Sequence, residues 1–233
     1  MIFSIERYAW LLKELKKTGR RFTNILRPQK PGILLRSDID YDLELAVTMA
    51  DCNSRHDVQA VFYVLISSPF YSIFEKKSIE ALRRLIDMGQ HVGLHYEHSG
   101  ISLNKERFLR EFEALQLVVP ESKPVVAWHN PSGDLPSLNA AAAQLGFTSA
   151  YDAAFFGQGK YVSDSNCARD AKHMLDAVAL SKEELVQVLC HPLIWALGGD
   201  DMLEVLHKYK KHKTESFEIS MVDQNVVWAK YRK

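Results

Sequence analysis

Cysteine is scarce: Cys52, Cys167 and Cys190 are the only three in 233 residues, an odd number with no CxxC spacing. That excludes a disulfide framework and a structural zinc ribbon, both of which need grouped thiols, and it suits a reducing cytoplasm. An excess of either charge is also missing. The 29 Lys and Arg balance the 29 Asp and Glu, so no overall field gathers nucleic acid or an anionic membrane. The N-terminal MIFSIERYAWLLKELKK holds no unbroken apolar core of a signal peptide, and no apolar run of membrane-spanning length occurs. The expectation is a cytoplasmic protein with no membrane insertion and no nucleic-acid partner, acting on a small molecule. Internal repeats, low-complexity tracts, GxGxxG, a Walker A loop and a GxSxG elbow are absent, which removes the common nucleotide and serine-hydrolase signatures.

What is present is a hydrophobic share of 47%, enough to fill one sizeable core, and the chain is read as a single domain over residues 1–233 with its core at about 33–213. Ile5, Tyr8, Leu11, Leu12 and Leu15 recur at helical spacing and predict an amphipathic helix over 4–17, a lid on that core. After the linker RPQKPG, short apolar or β-branched runs alternate with helical patterns. The strand candidates are GILLRSDID, VQAVFYVL, HVGLH, PVVAWH, FTSAY, KYVSD and VQVLCH; helices are expected at 75–88, 104–118, 135–145, 169–178 and 200–212. Such alternation implies a parallel sheet covered on both faces. Seven or so units suggest a distorted (β/α)₇ barrel, with an open doubly wound sheet as the alternative. In the last segment, Phe217, Ile219 and Met221 alternate before the polar DQN and Val227, which predicts a C-terminal hairpin or strand pair.

Residues able to bind a metal or move a proton gather at the C-terminal ends of these strands: Asp38 and Asp40, then His95, Glu97 and His98, then His129, Asp164 and His191. In a barrel those ends converge on one mouth. Asp38 and Asp40 are two apart, so on a strand both carboxylates face the same way, and two like charges held together call for a cation. The alternative is that they are loop acids capping the helix near Asp42. His95 and His98 are three apart, close enough for both rings to reach one ion from a turn, and two histidines with a carboxylate form a facial triad with open positions; the alternative is a solvated loop. His91, on the strand itself, ranks as a more remote ligand. Asp164 either orients His191 and raises its pKa or is a turn residue beside Ser163 and Ser165. Tyr96, Trp128, Tyr151, Phe155, Phe156, Tyr161 and Trp195 lie near these strand ends, where they stack on sugar rings or pack in the core.

The ordered series LLRSDID, AVFYVL, GQHVGLHYEH, WHNPSG, KYVSDSN and VLCHPLIW, over about residues 33–196, resembles the motif series of the NodB-homology polysaccharide deacetylases, carbohydrate esterase family 4, in the divergent branch of surface-polysaccharide and O-antigen biosynthesis. The resemblance implies the distorted (β/α)₇ barrel. It also implies removal of an N- or O-acyl group from a sugar with one divalent metal ion, zinc the first choice. It makes Asp38 the catalytic base, Asp40 and His95 metal ligands, and His191 the catalytic acid. The pattern departs in three places. Ser37 precedes the acids and Ile39 separates them; Ser99 stands where a second metal histidine is usual, leaving His98, Glu97 or water; and His129-Asn130-Pro131 replaces an arginine motif, whose work must fall to His129 or Arg36. Three functions therefore stand: an N-deacylase of an amino sugar or similar compound, with Asp38, His129, Asp164 and His191 in the chemistry and Asp40, His95 and His98 on the metal; a catalytically inactive sugar-binding barrel; or a different hydrolase on the same scaffold, such as a deformylase or an isomerase that uses the acids without metal.

Overall fold

In a computed structural model that describes residues 1–98, 102–131 and 133–231, the strands form one all-parallel sheet ordered β6-β5-β4-β3-β2-β8-β7, with β1 paired to the start of β2. The strands are β1 (Arg21–Phe22), β2 (Gly32–Ile39), β3 (Val61–Leu65), β4 (His91–Glu97), β5 (Val125–His129), β6 (Thr148–Ser149), β7 (Tyr161–Ser163) and β8 (Leu185–Leu189). Every residue of β2, β3 and β8 is buried, as a parallel sheet covered on both faces requires. The sheet curls into an incomplete barrel with β6 and β7 as its ends. Across that gap, the Gln187 amide donates to the Ala150 carbonyl at 2.9 Å. The barrel expectation holds over the open sheet.

The helices are α1 (Ile5–Lys17), α2 (Leu43–Arg55), α3 (Lys76–Asp87), α4 (Lys105–Val118), α5 (Leu135–Gln144), α6 (Ala171–Leu180), α7 (Pro192–Leu197), α8 (Met202–Gln224) and α9 (Val226–Tyr231). α1 covers the core as its spacing predicts, burying Tyr8, Leu11, Leu12 and Leu15. Its N-cap Ser4 accepts from the Arg7 amide. Gly93 sets the spacing of the barrel wall: a Cβ there would fall 2.4 Å from Val125 Cγ2 and 2.9 Å from its carbonyl oxygen, so only glycine lets β5 close on β4.

The C-terminal strand extension is not there. Phe217, Ile219 and Met221 lie in α8, and Val227 in α9. Residues 202–224 contain no Gly or Pro, Asp201 caps the first turn, and Glu204–Lys208 and Lys211–Glu215 pair at i,i+4, all of which favour helix. Three alternating apolar residues do not outweigh that; Phe217 and Ile219 are exposed instead. Among the described residues, no helix is long and apolar enough to cross a membrane.

Candidate active site

The strand ends converge as the barrel demands. Arg36, Asp38 and Asp40 follow one another at i, i+2 along β2 and its end, so their side chains share the inner face. Arg36 is fully buried and grips both oxygens of Asp38, Nε to Oδ1 at 2.8 Å and Nη2 to Oδ2 at 2.6 Å. It lies over the rings of Tyr151 and Tyr63, at 4.6 and 5.5 Å, and donates to the Tyr151 hydroxyl at 3.1 Å. A two-pronged guanidinium–carboxylate pair is the geometry in which a buried charge is tolerated. Burial alone would raise the pKa of Asp38; the adjacent Arg36 charge reverses that and leaves it below the usual value, ionised at neutral pH. Of the two residues open for the missing arginine's role, Arg36 is the one that pairs with Asp38. Capping of α2 belongs to neither acid, because Asp42 takes it, accepting from the Glu44 amide at 2.9 Å.

His95 sits on β4 with its Nδ1 donating to the Ala127 carbonyl of β5 at 2.9 Å, which leaves the Nε2 lone pair facing inward. That nitrogen lies 3.1 Å from Asp40 Oδ1, 3.7 Å from Asp38 Oδ2 and 3.1 Å from His129 Nδ1. His129 Nδ1 is in turn 3.4 Å from Asp40 Oδ1. Burial opposes ionisation of Asp40, but the imidazoles of His129 and His95 outweigh it and hold its carboxyl well below the usual range. The pKa of His129 moves up, chiefly through its contact with Asp40.

The third place in this cluster belongs to His129 and not to His98. β4 stays extended through Glu97, so a residue three steps beyond His95 falls on the opposite face of the strand; the i, i+3 pairing works on a helical turn that does not form here. His98 is buried outside the cluster. Glu97 lies opposite His129 in register and lines the cleft, also outside the cluster. His91 sits at the other end of β4, 2.6 Å from the Asn24 side chain. Ser99 falls outside the described residues. A sequence signal for His129 existed: it ends β5 on the inner face, two residues after Ala127, which pairs with His95. It could be used only once the strand register was known.

His191 follows β8 and opens α7, with Pro192 in the first helical turn. Its Nδ1 is 2.6 Å from Asp164 Oδ1, its backbone amide donates to Oδ2 at 2.8 Å, and the Trp195 indole donates to the same oxygen at 2.6 Å. Asp164, wholly buried, is thus held on three sides, and it in turn holds His191. Burial would lower the histidine's pKa, yet the Asp164 charge and hydrogen bond, with Asp40 and Asp38 further off, lift it to about 9. Its Nε2 points toward Asp40, 3.9 Å from Oδ2.

Asp38, Asp40, Glu97, His129, Asn130 and His191 all line one cleft of about 370 Å³. Of the aromatic residues that could stack on sugar rings or pack in the core, Tyr96, Trp128, Tyr151, Phe155 and Trp195 are buried in the core, Phe156 packs at a tilt on Tyr151, and Tyr161 packs at a tilt on Phe156. The rings that do line the cleft are Tyr41 and Phe70.

The donor set fits a divalent cation. Asp40 Oδ1 is buried without an aligned hydrogen bond, and one ligand atom each from Asp40, His95 and His129 lie within 4.8 Å of one another. One carboxylate and two imidazoles with no thiol suit zinc or a similar ion and leave positions open for other ligands.

No protein-family model matches the sequence, and no curated protein matches it. Solved structures do. The chitin deacetylase of the fungal pathogen Colletotrichum lindemuthianum superposes with a TM-score of 0.53 at 16% identity, over 78% of this chain and 83% of that one. A CE4 esterase of Streptococcus mutans gives 0.51 at 15%, over 86% and 91%. A CE4 family pseudoenzyme from Bacillus anthracis gives 0.52 at 15%, over 82% and 63%, so this chain spans under two thirds of that one. The fold is that of the CE4 deacetylases. Identities this low establish the fold alone.

His129 has a neighbour that would bear on any ligand role it takes. The Asn130 side-chain amide lies 3.0 Å from His129 Nε2, and Asn130 has a left-handed backbone, φ 41°. With its carbonyl oxygen turned to Nε2–H, Asn130 would leave the His129 Nδ1 lone pair free for the cluster. Asn130→Gly removes the side chain without straining that backbone, and zinc affinity measured by competition with a chelating dye is expected to fall about 10–100-fold. Asn130→Asp, which also tolerates positive φ, should retain affinity. Equal affinity in the glycine variant and the parent would show that Asn130 does not orient the ring.

Proposed function

We propose that this chain is a metal-dependent hydrolase that removes an N-acyl group from an amino sugar or a related small N-acyl compound. One observation carries the reading: a cluster of Asp40, His95 and His129 that suits a cation faces two separately tuned proton-handling pairs, Arg36–Asp38 and Asp164–His191, across one cleft. Acyl hydrolysis needs these parts, an activated water, a base for its proton and an acid for the leaving amine.

When bound at the cluster, a divalent ion supplies Lewis-acid polarisation of an acyl oxygen and acidifies water. Asp38, kept ionised by Arg36, accepts the proton of the attacking water. Each of its oxygens spends one lone pair on Arg36 and keeps another for the cleft. His191 enters protonated, since Asp164 holds its pKa to about 9, and its Nε2–H is the group that protonates the departing nitrogen. An amine leaves poorly as an anion, so this proton transfer contributes about 10²–10⁴ in rate. Zinc is the proposed ion. A setting in surface-polysaccharide biosynthesis rests on the motif resemblance alone.

The second reading, a sugar-binding barrel without turnover, is favoured by the engagement of both Asp38 oxygens with Arg36, which makes the base weak. Acetate release from tri-N-acetylchitotriose separates the two. The hydrolase releases acetate with zinc, stops on chelation and resumes on zinc return; an inactive barrel binds the sugar and releases none under any metal.

A further inference from the structure

Beyond Asp40, at the mouth of the cleft, two aromatic rings are fixed in place by hydrogen bonds from three directions. Tyr41 and Phe70 stack at 4.7 Å, and Tyr209 of α8 meets both edge-on, at 5.3 and 6.0 Å. The Tyr209 hydroxyl donates to the Tyr41 carbonyl at 2.8 Å, and Lys213 Nζ donates to the Phe70 carbonyl at 3.0 Å. From below, the Ser68 hydroxyl donates to the Asp40 carbonyl at 2.9 Å, and the Tyr71 hydroxyl to the Ile39 carbonyl at 2.7 Å. The loop that bears Phe70 is therefore tied both to the strand that ends in the site and to the C-terminal helix. Yet Phe70 remains 42% exposed, lining the same cavity as Asp38 and His191. A single exposed apolar residue on a loose loop needs no explanation. A large ring braced against α8 and left open to a concave site, beside the apolar side chains of Leu65, Pro69 and Leu193, is what a ligand with one apolar face requires.

The charge around it narrows the ligand. The described residues lining the cavity include the carboxylates of Asp38, Asp40, Asp42 and Glu97 and no Lys or Arg. The ammonium of Lys213, 3.8 Å from the lining residue Asp42, is committed to the Phe70 carbonyl. The imidazoles of His191 and His129 that also line it are each already against a carboxylate, Asp164 and Asp40, so a diphosphate would find neither a guanidinium fork nor a free ammonium among four carboxylates.

We propose that Phe70, backed by Tyr41 and positioned by Tyr209 and Lys213 of α8, is a stacking wall that takes the C–H face of an uncharged glycosyl ring beside the acyl-hydrolysis site, and that the cleft turns away nucleotide-linked sugars. This rests on the hydrolase reading for the identity of the neighbouring chemistry and on the geometry of the mouth for the wall itself.

Calorimetric titration of the full chain with tri-N-acetylchitotriose and with uridine-diphosphate-linked N-acetylglucosamine tests it. The neutral trisaccharide is expected to bind, the nucleotide sugar at least tenfold more weakly. Phe70→Ala should weaken trisaccharide binding about tenfold, and Phe70→Leu nearly as much, since leucine keeps the apolar volume but offers no ring face. Unchanged thermal melts would show that both variants fold. The wall is overturned if the parent binds no trisaccharide, if either variant binds as the parent does, or if the nucleotide sugar binds as tightly. Acetate release keeps the two readings apart. Phe70-dependent binding without turnover sinks the hydrolase and leaves the wall, whereas turnover with Phe70-independent binding sinks the wall alone.

Discussion

His191→Ala is expected to lower kcat on an N-acetyl substrate by about two to four orders of magnitude with zinc content unchanged. The physical reason is that His191 touches the cleft through Nε2 while its other nitrogen is spoken for by Asp164 and it lies outside the cation cluster, so the proposed mechanism gives it proton transfer alone. An activated ester such as p-nitrophenyl acetate has a leaving group that needs no proton and should lose much less. Equal losses on amide and ester would make His191 a substrate-orienting residue. Asp164 extends the test through pH. With its pKa raised chiefly by Asp164 against the effect of burial, His191 holds its proton at neutral pH and gives it up as pH climbs, so amide turnover should fall on the alkaline side. Asp164→Asn removes the charge that lifts the pKa while burial continues to depress it, and the alkaline limb should move to lower pH. A limb that stays in place in the variant would assign it to a different group.

The second large effect concerns the cation. Asp40→Asn and His129→Ala should each lower bound zinc from about one ion per chain to a small fraction and abolish turnover with it, because each removes one of three converging ligand atoms. Asp38→Asn should leave zinc bound while turnover is lost, since Asp38 is spent on Arg36 and the proton and is not part of the cluster. His98→Ala is the control that distinguishes sequence spacing from strand geometry: zinc stoichiometry by elemental analysis should not change. Loss of zinc in the His98 variant with retention in the His129 variant would restore the ligand set that spacing alone suggests.

That contrast shows where a one-dimensional reading stops. Asp38 and Asp40 could be placed together because an i, i+2 relation on a strand is a local property: the period of two puts both on one face whatever the strand pairs with. His95 and His98 were judged by spacing too, but three residues mean the same face on a helical turn and opposite faces on a strand. The choice depended on where β4 ends. The partnership of His129 with His95 depends on parallel register across 34 residues of chain, which no local pattern reveals. Arg36 was open, beside His129, as a stand-in for the arginine that the motif resemblance leaves missing, whereas its pairing with Asp38 and its place between Tyr63 and Tyr151 join β2, β3 and the segment after β6. Tyr41 and Phe70 carried no signal of their own, as single aromatic residues in loops; only the docking of α8 against those loops shows that they are held at the mouth.

By itself the sequence determined the alternation of strands and helices, hence a covered parallel sheet, and the concentration of acids and histidines at the strand ends. Both follow from short-range periodicity and from the polarity of the residue that ends each apolar run. The tertiary structure decided which of those end residues meet. It chose His129 over His98, gave Asp38 to Arg36 and Asp164 to His191, and folded the C-terminal segment as helix where alternation had suggested strand. The choices of partner rest on register and on the curl of the sheet. Each is a relation between segments far apart in the chain, and so lies beyond any local pattern.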